Sequence, residues 1–201
     1  ISIHGLRWDS VTLWADQKSG PLSDGKFGPN LFRDRSIQFD FERNILLIGV
    51  ELPADSLKFT QHTLVTKNGE MYIEGICEID GIAYPNQYLI HSGYGGDILL
   101  ADAFTVSGNL GEKIKIVEEQ DLKDSFGNSI KVKKGILPTF RLGKQTLVNL
   151  PVGFFEGTIG QQSKSILGGD IIKRFDIVIS EDRKYIYLKP NSLFTAPSTR
   201  F

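Results

Sequence analysis

A single cysteine, Cys77, stands among 201 residues, which excludes an internal disulfide and any cysteine-rich zinc site and leaves the redox compartment open. Its expected place is a core, where free cysteine behaves as a small hydrophobe. An excess of charge is missing as well: 23 Lys and Arg stand against 24 Asp and Glu, a net charge of −1. No basic field exists to hold nucleic acid or an anionic membrane surface. No apolar run approaches the ~20 residues of a membrane-spanning helix, and no charged start with an apolar core marks a signal peptide. His4 and His62 fall outside any ligand spacing, so neither a metal nor a cofactor is expected.

What is present is the composition of an ordinary globular chain, 40% hydrophobic and 23% charged, cut into short pieces by 21 Gly and 8 Pro. Apolar and polar residues alternate over 36–41 (Ser-Ile-Gln-Phe-Asp-Phe), 71–79 (Met-Tyr-Ile-Glu-Gly-Ile-Cys-Glu-Ile) and 113–117 (Lys-Ile-Lys-Ile-Val). That period of two is the signature of half-buried strands. Turn residues separate the runs: Asn68-Gly69, Asp80-Gly81, Gly127-Asn128 and Gly143-Lys144. The sequence therefore predicts a mostly β, mostly antiparallel protein. Helical signals are few. The best are 30–33 and 170–175, with Asn30 and Asp170 as N-caps, and one further turn over 99–105. Trp8 and Trp14 read as packing residues.

An internal repeat organises the chain. Residues 24–33 align without gaps on residues 164–173, and the same offset of 140 carries Ile37 to Ile177, Phe39 to Ile179, Leu46 to Ile186 and Ile48 to Leu188. The shared pattern is apolar-Gly, a capped helical turn, a strand, a charged turn and a second strand. About 75 residues, 59–134, precede the repeated half in the second copy, whereas the first copy begins almost directly with it. The expected domains are 1–50 as the rear half of a first lobe, 51–56 as linker, 57–190 as a complete second lobe and 191–201 as a tail.

In the second lobe an apolar strand runs through Tyr88-Leu89-Ile90 into His91-Ser92-Gly93-Tyr94-Gly95-Gly96 and out into Ile98-Leu99-Leu100, and about 70 residues later comes Ile166-Leu167-Gly168-Gly169-Asp170. This spaced pair resembles the lobe of the aspartic peptidases of pepsin and retropepsin type, and the run 171–190 is similar to the ending of bacterial two-lobed aspartyl-protease-like proteins. The resemblance covers residues 1–190 and implies an acid-protease barrel lobe plus the rear half of a sister lobe. In that family a strand delivers Asp-Thr/Ser-Gly into a cleft, and a later apolar-apolar-Gly strand threads beside it. His91, Ser92 and Gly93 occupy the positions of that catalytic motif. Ile166, Leu167 and Gly168, and in the first lobe Phe27 and Gly28, occupy the supporting positions.

The departure is at the acid. Two close carboxylates share a proton in the family's dyad, because both cannot ionise side by side. His91 offers at most one acceptor and cannot replace a carboxylate in that arrangement. The partner acid belongs to the front half of the first lobe, expected in a separate polypeptide or in a segment before Ile1. The resemblance thus implies a peptide-binding pseudo-peptidase, with an active exported endopeptidase completed by another segment as the alternative. Peptide or protein would be the ligand, and the family's usual location is periplasmic or extracellular. Phe126 and Gly127 are expected at the tip of a flap over the peptide, or else in an ordinary solvated hairpin. His91 itself either makes structural hydrogen bonds in its loop or takes part in binding. Gly93, Gly95 and Gly96 lack the Lys-Ser/Thr that a phosphate-binding loop needs. Asp97 and Asp102 are expected in solvated or capping roles.

Overall fold

The computed structural model describes residues 1–3, 5–12, 27–123, 129–157 and 162–198. Strands β1 (Ser2–Ile3) and β2 (Leu6–Arg7) make a small antiparallel ribbon. Strands β3 (Ser36–Asp40) and β4 (Ile45–Gly49) form the first hairpin. After a 3-10 turn, Ala54–Lys58, the chain enters β5 (Thr60–Lys67), β6 (Glu70–Ile79) and β7 (Ile82–Ile90). The Asn68-Gly69 and Asp80-Gly81 turns that join these strands have positive φ at both residues, 51° and 79°, then 52° and 75°. That geometry matches the twist of the flanking strands. It also sets register: Lys67 faces Glu70 and Ile79 faces Ile82.

Next come β8 (Ile98–Leu99), α1 (Asp102–Ser107), α2 (Leu110–Lys113), β9 (Lys115–Lys123), β10 (Ser129–Leu142) and β11 (Gln145–Gly157). The last elements are β12 (Ser165–Leu167), α3 (Gly169–Ile172), β13 (Phe175–Ile179) and β14 (Tyr185–Pro190). Six strands close into a barrel in the order β6-β7-β12-β8-β11-β10, and the ring is shut where β10 returns to β6 with Phe140 opposite Cys77. The barrel is filled by Cys77, Tyr88, Leu137, Phe140 and Phe154, all 0% exposed. Tyr88 stands edge-on to Phe140 at 5.1 Å, and its hydroxyl lies 3.0 Å from Cys77 Sγ. Burial pushes the Cys77 thiol up to about 11, so it stays protonated and serves as a core residue.

The sheet continues out of the barrel through β5 as β5-β14-β13-β3-β4. Here the sequence repeat becomes geometry. Strands β3 and β13 pair antiparallel with Gln38 opposite Val178, two residues related by the offset of 140, so a local twofold passes between them. Each hairpin then keeps the same register: Ile37 faces Ile48 as Ile177 faces Leu188, and Phe39 faces Leu46 as Ile179 faces Ile186. Residues 27–50 and 57–190 therefore share one sheet across the 51–56 connection. The tail packs on this unit, with Phe194 edge-on to Phe175 at 5.4 Å. At the other end of the chain Trp8 packs edge-on against Phe32 at 5.5 Å, while Trp14 lies outside the described residues.

The helical expectations need correction. The turn near residue 30 is 3-10 over Pro29–Phe32, and the caps are Gly28 and Gly168, both extended (φ −103° and −92°), rather than Asn30 and Asp170. No side chain caps either turn. The Asp170 carboxylate instead meets Lys173 Nζ at 2.6 Å. Leu99 is strand rather than helix, and α2 takes Lys113 from the expected strand, which starts at Lys115.

Candidate functional site

Strands β7 and β8 are consecutive in sequence but not hydrogen-bonded to each other. Strand β12 is inserted between them, parallel to β7 with Leu167 opposite Ile90, and antiparallel to β8 with Leu167 opposite Ile98. The connection 91–97 must therefore loop over the end of β12. Backbone bonds fasten it there: the His91 N–H donates to Leu167 O (3.1 Å), Gly168 N–H to Asp97 O (2.8 Å) and Gly169 N–H to Tyr94 O (2.7 Å). A Cβ at Gly168 would collide with the Gly96 carbonyl oxygen and the Tyr94 ring, so only glycine permits this crossing. His91, Ser92, Gly93, Ile166, Leu167 and Gly168 thus come together at one place.

His91 is half-buried, while Ser92 and Gly93 are exposed. The His91 Nδ1 accepts the Gly93 N–H at 3.2 Å. Since a backbone N–H only donates, Nδ1 must carry a lone pair, and the proton of the neutral ring sits on Nε2. The imidazole thereby does for its turn what an Asx side chain does two residues on, and keeps one N–H for a ligand.

Beside the turn lies a cavity of about 350 Å³, walled by Tyr94, Leu99, Val132, Pro151, Gly153 and Phe155. The outward side chains of β8, β10 and β11 make it largely apolar, with the backbone of 94–97 along one side. Lys134 also borders it. Phe126 and Gly127 lie outside the described residues; the flanking strands β9 and β10 pair antiparallel up to Lys123 opposite Ser129. In the first copy, Phe27 is 62% exposed and a Cβ at Gly28 would meet nothing within 4 Å among the described residues.

Two carboxylates near the turn are placed differently from expectation. Asp97 is neither solvated nor a cap: it is 1% exposed, with Oδ1 3.5 Å from Arg174 Nη2 and Oδ2 without a partner among the described residues. Burial raises its carboxyl above the ordinary range, and Ser198 and Arg174 only partly oppose this. Arg174 also donates to the carbonyls of Asp170 (3.0 Å) and Phe194 (3.3 Å) and to Ser198 Oγ (2.9 Å), tying the tail to the turn. Asp102 accepts the Gln162 N–H at 2.8 Å and joins α1 to the approach of β12.

The residue that sequence reasoning missed is Glu70. The Asp80-Gly81 turn sets Ile79 opposite Ile82, and the pairing runs back to Tyr72 opposite Leu89, which leaves Glu70 and His91 at the same end of the two strands. Glu70 accepts Lys164 Nζ on both oxygens (2.6 and 2.7 Å) and the Tyr72 hydroxyl (2.7 Å). These bonds hold its carboxyl below the usual range. It is an anion locked in place, unsuited to donating a proton. Among the described residues no group of three or more His, Cys, Asp or Glu is arranged to hold a metal, and no helix is long and apolar enough to cross a membrane. No protein-family model matches the chain, and none of the curated proteins matches it.

Proposed function

We propose that the chain is a peptide-binding lobe of aspartic-peptidase type in which hydrolysis has been given up. The observation that carries this reading is the threading of β12 between β7 and β8, over which the connection that begins with His91-Ser92-Gly93 passes, its Tyr94–Asp97 part lining an apolar cavity. The closed six-strand barrel and the twofold-related repeat are what a two-lobed protein of that type would contain. The turn carries an imidazole where the family's chemistry requires a carboxylate, and the Glu70 carboxylate, within electrostatic reach of His91, is engaged by Lys164 and Tyr72. What remains suits recognition: exposed backbone in the turn to bond an extended peptide, and an apolar hollow to receive a side chain. The alternative, a hydrolase that draws its acid from another segment, has no described residue in its favour.

The test is a titration with short extended peptides bearing a central Leu or Phe, followed by backbone amide NMR. Binding should move the amides of Tyr94, Gly95, Gly96, Leu99, Val152 and Gly153, and Gly153→Val should abolish the shifts by filling the cavity. Peptides that reach about millimolar concentration without moving those amides would remove the reading.

A further inference from the structure

Pairing of β12 with β7 begins only at Ser165 opposite Tyr88, so Asn86 and Gln87 run on without that neighbour, and α1 follows closely on β8. A second cavity, of about 460 Å³, is walled there by side chains of β5, β6, β7 and α1 and by the approach to β12. A reciprocal pair ties together the segments 101–107 and 163–165 that flank it. The Gln162 N–H donates to the Asp102 carboxylate at 2.8 Å, and the Asp102 N–H to the Gln162 carbonyl at 2.9 Å. The volume is that of a small-molecule site, and no wall residue is shared with the cavity beside residues 94–97.

The polar groups of this wall are short of acceptors. Ser165 is 2% exposed, and its Oγ accepts the Asn86 side-chain N–H at 2.8 Å and the Ala101 N–H at 2.9 Å. Both lone pairs are then taken, so the hydroxyl proton must donate, and no acceptor among the described residues receives it. A donor buried this deeply calls for a partner. The two cations of the wall also differ. Lys164 is answered by both oxygens of Glu70. Lys67 donates to the Gln87 side-chain oxygen at 2.7 Å and stands 5.6 Å over the Tyr72 ring, with no carboxylate paired to it among the described residues. Gln87, its oxygen so engaged, keeps its N–H groups for a ligand. Phe104 adds apolar surface from α1. An ammonium without a carboxylate, amide donors and a buried hydroxyl donor beside apolar surface match a ligand with a carboxylate, a carbonyl and an apolar side chain.

We propose that this cavity binds an N-acylated apolar amino acid, free or as the C-terminal residue of a peptide, with Lys67 and Gln87 on its carboxylate and the Ser165 hydroxyl donating to its acyl carbonyl. This is independent of peptide binding beside residues 94–97. Backbone amide NMR of residues 1–201 tests it with N-acetyl-leucine, with the peptide acetyl-Ala-Ala-Leu, and with the same peptide as its C-terminal amide. Either acid should move the amides of Gln87, Phe104, Lys164 and Ser165 at about millimolar concentration. Which acid binds more tightly tells a free amino acid from a peptide end. The neutral amide should bind at least about tenfold more weakly than its acid. Lys67 is exposed, so Lys67→Gln should leave the fold intact, weaken both acids by about tenfold and leave the neutral amide unchanged. Failure of both acids to move these amides at about 10 mM overturns the proposal, and so do shifts confined to Tyr94–Gly96. Equal binding of acid and amide, or wild-type affinity for the acids in Lys67→Gln, overturns it as well.

Discussion

The two copies of the repeat have the same backbone register and opposite surroundings. Residues 36–49 and 176–189 form hairpins whose pairings correspond residue for residue. Yet, although β3 and β13 are both buried, the outer strands differ: Ile186 and Leu188 of β14 are buried, whereas their equivalents Leu46 and Ile48 of β4 are exposed and half-buried. Hairpin geometry is therefore local, set by alternation and the charged turns, while burial of the outer strand goes with β5, which pairs with β14. Any test that substitutes equivalent positions should reveal this asymmetry as a difference in free energy.

The largest difference is expected at Arg174 and its equivalent Asp34. Arg174→Ala leaves the 0%-exposed side chain of Asp97 without its cation and should cost about 3–5 kcal/mol in urea unfolding. Asp34 is exposed at φ 54°, a conformation Asn accepts, so Asp34→Asn should change stability by less than about 0.5 kcal/mol. Gly168→Ala comes next. Its Cβ would strike backbone atoms of 94–96 and should cost about 3 kcal/mol, against under about 0.5 kcal/mol for Gly28→Ala, where a Cβ meets nothing within 4 Å among the described residues. Equal effects at the two glycines would mean that the first copy is closed as tightly as the second.

A smaller contrast separates Ile186→Ala, about 2–4 kcal/mol from a buried site, from Leu46→Ala, under about 1 kcal/mol. The smallest effect is pH-dependent and belongs to β5, the strand that pairs with β14. His62 on β5 packs against the Gly143 turn, its Nε2 has no partner among the described residues, and burial lowers its pKa from the ordinary 6.5. The folded state resists taking up this proton, so the stability His62 contributes is complete above pH 6.5 and is lost as pH falls through the lowered value. His62→Gln should flatten that part of the stability profile; an unchanged slope assigns it to other groups.

Much of this arrangement can be read from the residues, because local rules govern it. Asn68-Gly69 and Asp80-Gly81 specify their hairpins, and the offset of 140 anticipates the pairing of Gln38 with Val178. The Gly168 crossing beside His91 is an expectation of the resemblance rather than of periodicity; in the structure the His91 N–H donates to Leu167 O and the Gly168 N–H to Asp97 O. What was hidden depends on distance in sequence. Asp97 and Arg174 stand 77 residues apart, and only a charge embedded in an apolar run hints that each is buried. Glu70 was within reach: a two-residue turn at Asp80-Gly81 fixes the count that brings it to the same end of the strand pair as His91. The caps were misread because Asn30 and Asp170 look like better caps than glycine, and the requirement at Gly168 comes from the turn it crosses.

Hydrolysis is where the account stands or falls. Purified residues 1–201, incubated with the peptides that move the Tyr94–Gly96 amides, are expected to leave them uncut from about pH 3 to pH 7, the range in which a shared-proton carboxylate pair works. His91→Asp should leave them uncut too, since one new carboxylate has no partner. Cleavage by the wild-type chain that a statine-type transition-state analogue blocks would contradict the claim that this lobe binds without cutting.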